Sequence, residues 1–119
     1  MPTILLIDDD AAVSQMLEEH LVQTGFDVIV ASGTRQAQRE IESKRRIDLL
    51  LVDLVMPADE PDGLAFANQA KAQAPGVPII FMTGYYGFVA KAGAIPATVL
   101  YKPIDLNVLT REINARLAA

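Results

Sequence analysis

Leu49-Leu50-Leu51-Val52 runs without a break into Asp53, stays apolar through Leu54-Val55-Met56 and turns at Pro57. An unbroken apolar run of strand length reads as a strand covered on both faces, as in a parallel sheet. A carboxylate at the end of such a strand is costly unless its charge is paired or bound to a cation. A stray surface acid is the plain alternative, but the greasy approach to Asp53 makes it the centre of a candidate site.

The rest of the chain repeats the pattern. Thr3-Ile4-Leu5-Leu6-Ile7 is a second buried-strand run, breaking into Asp8-Asp9-Asp10. Val13, Met16, Leu17 and Leu21 follow at helical spacing, with Gly25 in the usual stop position. Phe26 to Ala31 alternates as a strand, and Ser32-Gly33-Thr34 opens a shorter helix with Ala37 and Ile41 on its apolar face. After the Asp53 strand comes a loop rich in Pro, Asp and Gly, from Pro57 to Gly63. Leu64, Ala67 and Ala70, with Lys71, then form an amphipathic helix closed by Pro75-Gly76. Val77 to Met82 predicts a strand delivering Thr83-Gly84, Tyr85 to Gly93 a short helix, and Thr98 to Tyr101 a strand ending in Lys102-Pro103. Asp105 is placed to cap a last helix whose Leu106, Leu109, Ile113 and Leu117 face inward.

Strands and helices alternating at this pace are βαβ units around a parallel sheet, with right-handed crossovers and helices on both faces. Sites in such sheets lie at the carboxyl ends of the strands, where strand order reverses. Asp8, Asp9, Asp53, Thr83 and Lys102 all sit at such ends. Their convergence on one edge is the strongest functional signal in the chain.

Length and charge narrow the classes. The 119 residues predict one domain, 1–119, with no repeat, linker or output domain. Ten Lys plus Arg against fifteen Asp plus Glu give a net charge of −5, which argues against direct nucleic-acid binding. The one basic run, Lys44-Arg45-Arg46, reads as helix-end charge. No apolar run has membrane-spanning length and no basic leader precedes the first strand, so neither a membrane nor secretion is expected. The absence of cysteine excludes a disulfide scaffold and thiolate-bound zinc, and leaves the cytoplasm as the expected compartment.

Three clustered carboxylates repel, and one is driven to bind a proton unless a cation sits among them. A hard, oxygen-lined pocket with two or three carboxylates and open water positions suits Mg²⁺. In such a pocket Asp53 can act as a nucleophile toward phosphorus, with the metal neutralising the incoming phosphate. Lys102 supplies a point charge for one phosphoryl oxygen and Thr83 a hydroxyl donor for another. Taken singly, Lys102 reads equally as a snorkelling surface lysine and Thr83 as a strand-end turn residue, while Asp10 reads as a plain N-cap. His20 reads as a helix-surface or packing residue.

Ile7-Asp8-Asp9-Asp10, Val52-Asp53-Leu54-Val55-Met56-Pro57 with Asp62-Gly63, Met82-Thr83-Gly84 and Tyr101-Lys102-Pro103-Ile104, in this order, form a specific signature. Over essentially its whole length the sequence resembles the receiver domains of two-component response regulators. The resemblance implies an α/β, three-layer, doubly wound, five-stranded parallel sheet of order 2-1-3-4-5, an order the receiver fold itself exemplifies. It also implies a phosphoacceptor rather than a multi-turnover enzyme. Asp53 would accept phosphate from a histidine kinase or phosphotransfer protein. Mg²⁺ would be held by Asp9, Asp53 and the backbone carbonyl of Val55, with Asp8 acting through water. Thr83 and Lys102 would engage the phosphoryl group, the Lys102–Pro103 bond would be cis, and the output would be a protein effector or a fused domain outside this chain.

The departures from the family pattern are local. Val99 stands where the family's switch aromatic is usual, and Tyr101 directly precedes Lys102. The stretch from Thr83 to Lys102 is about three residues shorter than usual and carries Gly84, Gly87, Gly93 and Pro96. The loop Pro57–Gly63 is about two residues longer and more acidic, placed to screen the site or meet a basic partner. Val55 and Tyr85 occupy positions that tune phosphate lifetime, and neither side chain can orient an attacking water. Slow self-dephosphorylation, with Tyr85 shielding the phosphoryl group, is therefore expected. The alternative function is a constitutive interaction module that kept the fold and lost regulated signalling. A flavodoxin-like cofactor binder is disfavoured by Asp8-Asp9-Asp10, and a Mg²⁺-dependent phosphatase by Leu54 and Val55.

Overall fold

The structure is a computed structural model, and it describes residues 1–43, 45–57, 59–84 and 98–118. Five parallel strands, β1 (Thr3–Ile7), β2 (Asp27–Ala31), β3 (Leu49–Asp53), β4 (Ile79–Thr83) and β5 (Thr98–Tyr101), form one sheet in the order β2-β1-β3-β4-β5. The described helices are α1 (Ala11–Gln23), α2 (Thr34–Glu42), α3 (Gly63–Gln73) and α4 (Leu106–Ala118). The expected fold class and strand order are those observed. The expected helix over Tyr85–Gly93 and the shielding role of Tyr85 lie outside the described residues.

Side-chain alternation along the strands divides the core into two layers. Leu5 and Ile7, Leu50 and Val52, and Ile79 and Phe81 pack toward Ala37 of α2 and Phe66, Ala67 and Ala70 of α3. Ile4 and Leu6, Leu49 and Leu51, and Ile80 and Met82 pack toward Leu17 and Leu21 of α1 and Leu109 and Ile113 of α4. β3 and β4 are buried at every residue, which is why their sequences are apolar without alternation. Each such aliphatic side chain contributes about 1.5–3 kcal/mol of burial.

The helix ends follow from their sequences. At the end of α1 the chain turns through Gly25 at φ 103, with Gly25 N–H bonded to the Val22 carbonyl and Phe26 N–H to that of Leu21. This paired closure requires the left-handed backbone that glycine adopts without strain. Asp105 Oδ1 accepts from Asn107 and Val108 N–H, capping α4 as expected. Below the sheet, Asp48 Oδ2 accepts from Thr3 N–H at 2.8 Å and stitches the start of β3 to β1. That bond, with Arg46 beside it, holds the Asp48 carboxyl below its usual range despite partial burial.

Several local expectations change. Met16 is 43% exposed, so α1 is held by Val13, Leu17 and Leu21, with Ser14 buried among them. β2 starts at Asp27 and β4 at Ile79; Phe26 is buried ahead of its strand, and Pro78 lacks the N–H a ladder would use. The basic run pairs with nearby acids, Arg45 with Glu40 at 3.6 Å and Arg46 with Asp48 at 3.1 Å, while Lys44 lies outside the described residues. His20 keeps its expected place as a packing residue, its Nε2 2.7 Å from Thr110 Oγ1 on α4.

Candidate functional site

The register of the sheet builds the site. Ile7 of β1 pairs with Val52 of β3, so the next residues, Asp8 and Asp53, leave the two central strands side by side. Asp53 pairs with Met82, and Thr83 with Tyr101, which brings the ends of β4 and β5 to the same edge. Lys102 then follows β5, its N–H bonded to the Thr83 carbonyl at 2.8 Å.

Asp8, Asp9 and Asp53 each present a carboxylate oxygen within 4.8 Å of the others. Asp8 and Asp53 are buried, 1% and 5% exposed, whereas Asp9 is open to solvent. Lys102 Nζ donates to both buried acids, to Asp8 Oδ2 at 2.8 Å and Asp53 Oδ2 at 3.0 Å. The remaining oxygens are held by backbone, Asp8 Oδ1 by Asp10 N–H at 2.9 Å and Asp53 Oδ1 by Val55 N–H at 3.1 Å. Ser14 Oγ donates to the Asp8 carbonyl at 3.2 Å and ties α1 to the strand end. Asp10 itself is the α1 N-cap, accepting from Ala12 and Val13 N–H.

Burial pushes the Asp53 carboxyl up, and neighbouring Asp8 adds to the rise; the bonds from Lys102 and Val55 pull the other way. Burial also acts against the Lys102 ammonium, but the bonds to Asp8 and Asp53 outweigh it and raise the group above its usual range. The pocket therefore holds two buried carboxylates against one ammonium, with a third carboxylate at its mouth.

An oxygen-only donor set of this kind fits a hard cation. Asp9 fits best as a ligand, because its carboxylate has no hydrogen-bond or ion-pair partner among the described residues. Sequence reasoning located all five side chains at this edge. It missed that Lys102 bridges Asp8 and Asp53, since nothing in the local pattern around Lys102 names its partners. Val55 sits beside the acids with its side chain 42% exposed; Thr83 is fully buried at the end of β4, and the Lys102–Pro103 bond is cis as expected.

Residues 4–114 match the family model described as "Response regulator receiver domain". The chain belongs to that family. Among relatives, the receiver is 32% identical over 122 residues to the response regulator receiver protein CpdR of Brucella abortus, covering 100% of this chain and 99% of that one. It is 33% identical to the transcriptional regulatory protein ZraR of Escherichia coli O157:H7, over 97% of this chain but only 26% of ZraR's length. A solved receiver protein from Sinorhizobium medicae superposes with a TM-score of 0.89 at 29% identity, covering 99% of this chain and 95% of that one. The TrrA response regulator of Thermotoga maritima, solved with Mg²⁺ and BeF, shares the fold with a TM-score of 0.87 at 23% identity, covering 98% of this chain and 99% of that one. Receiver domains of two-component response regulators are phosphoacceptors, and among the described residues no helix is long and apolar enough to cross a membrane.

Proposed function

We propose that this receiver takes a phosphoryl group onto Asp53, from a histidine kinase, a phosphotransfer protein or a small acyl phosphate, and signals through phosphorylation-dependent partner binding. The observation that carries this reading is the Asp53 carboxylate itself, buried at a strand end within 4.8 Å of Asp8 and Asp9 and bonded to Lys102. Asp8, Asp9, Asp53 and the Val55 carbonyl are the groups that would hold Mg²⁺, Asp8 through water. When bound, the ion supplies charge neutralisation between the acids and the incoming phosphoryl oxygens.

Asp53 attacks phosphorus with one carboxylate oxygen. The P–N bond of a phosphohistidine donor, or the P–O bond of acetyl phosphate, breaks, and imidazole or acetate departs with the bonding pair. Val55 N–H, on Asp53 Oδ1, fixes the rotation of the nucleophile. Lys102, 3.0 Å from Oδ2, is placed to turn from carboxylate to phosphoryl oxygen as charge passes outward. Thr83, delivered by β4 to the same edge, would donate its hydroxyl to a second phosphoryl oxygen. The new charge biases a two-state surface that a protein effector, or an output domain fused outside residues 1–119, would read.

Intact mass after incubation with acetyl phosphate tests the reading. A single phosphoryl adduct is expected that needs both Mg²⁺ and Asp53 and is absent from Asp53→Ala. An adduct that persists in Asp53→Ala, or forms equally in chelator, overturns it.

A further inference from the structure

The loop between β3 and α3 is tied at its far corner to α2, and the tie is unusual. Helix α2 begins after Gly33, an N-cap with no side chain to offer the first free N–H groups. A side chain from elsewhere does the capping. Glu60 Oε1 accepts from Arg35 N–H at 2.9 Å, the bond an N-cap residue would ordinarily make to its own helix. Buried Thr34 adds a second tie, its hydroxyl donating to the Pro61 carbonyl at 2.7 Å, and Arg35 reaches the Asp59 carbonyl with its guanidinium. Of the acids in this long loop, Glu60 turns its carboxylate onto α2, whereas Asp62 caps α3 and the Asp59 side chain is largely exposed.

Gly33 is extended, at φ −168, so its backbone does not call for glycine. Space does. A Cβ at position 33 would lie 2.6 Å from both carboxylate oxygens of Glu60. Glycine here leaves room for a carboxylate arriving from another part of the chain. From Glu60 the loop runs back through a turn, Glu60 N–H to the Pro57 carbonyl at 3.0 Å, to Val55, whose N–H holds Asp53 Oδ1.

We infer that Glu60 is a positioning residue for the phosphoacceptor site: by capping α2 in place of Gly33 it fixes the Val55 segment against Asp53, and so sets cation affinity. The inference rests on the reading of Asp8, Asp9, Asp53 and Val55 as the Mg²⁺ site. Groups that orient metal ligands typically change affinity about 10- to 100-fold when removed, and the lower end suits a contact made through a loop.

Gly33→Ser separates positioning from stability. The serine can cap α2 itself while its Cβ evicts the Glu60 carboxylate. Mg²⁺ binding to the full chain is measured by calorimetry, with thermal unfolding in chelator beside it. Gly33→Ser is expected to unfold at or above the wild-type temperature, yet bind Mg²⁺ about tenfold more weakly. Glu60→Ala is expected to lose both stability and affinity, and Glu60→Gln, which keeps an oxygen acceptor, to recover most of the affinity. Wild-type affinity in both Gly33→Ser and Glu60→Ala overturns the positioning role. Failure of the wild type to bind Mg²⁺, or binding insensitive to Asp9→Asn, overturns instead the metal site on which it rests.

Discussion

Lys102 is the residue on which the charge balance of the pocket turns. Its ammonium lies between two acids that are nearly devoid of solvent, so removing it leaves like charges facing each other. Breaking a buried pair by deleting one partner costs about 3–5 kcal/mol. Lys102→Met, in chelator at pH 7, is expected to lose about 3 kcal/mol in urea unfolding, from the low end of that range. The sign with pH follows from linkage. Without the ammonium, the Asp53 carboxyl, already raised by burial and by Asp8, is raised further in the folded state. The folded variant then binds protons more readily than the unfolded chain, so its stability climbs as pH falls toward the ordinary carboxylate range. In the wild type, the raised Lys102 group contributes fully below the ordinary lysine pKa and loses its contribution as pH rises through the folded value. A variant equally destabilised at pH 7 and pH 5 would show that Lys102 acts by packing alone.

At the scale of elements, α3 approaches β3 more closely than any side chain permits. A Cβ on Gly63 would lie 2.4 Å from the Asp53 carbonyl oxygen and 2.8 Å from Leu54 Cα, both backbone atoms. Gly63 N–H also bonds the Leu54 carbonyl at 3.1 Å, closing the base of the loop. Gly63→Ala is expected to cost about 1–3 kcal/mol as overpacking, whereas Gly76→Ala, with nothing within 4 Å of the added Cβ, serves as a matched control. Equal stability of the two variants in denaturant would contradict the close approach.

Much of this arrangement was legible from local pattern. Buried strands announced themselves by lack of alternation, and each strand-end polar residue lay where the sheet later gathered it. Met16 misled because helical spacing alone does not distinguish the centre of an apolar stripe from its margin. The ties of Glu60 to Arg35, Thr34 to Pro61 and Asp48 to Thr3 were invisible, since each joins residues 25 to 45 positions apart with no periodic signal. Gly33 was the one available hint, an uncapped helix start opposite an acidic loop.

Across the whole molecule, binding at the site should register as global stability, because its ligands come from strands that form only in the folded sheet. Mg²⁺ at a hundred times its dissociation constant is expected to add about 2.7 kcal/mol, raising Tm by several degrees. Asp9→Asn should abolish that rise while leaving the metal-free Tm near wild type, Asp9 being exposed and unpaired among the described residues. A wild-type Tm indifferent to Mg²⁺ in differential scanning calorimetry would count against a preformed site. Lys102 and Asp8 are 94 residues apart along the chain, and Lys102 and Asp53 are 49 apart. During synthesis the acids leave the ribosome long before their counter-charge does. A nascent receiver that ends short of β5 has these carboxylates with no ammonium to set between them, so the charge balance of the pocket is completed only late in translation.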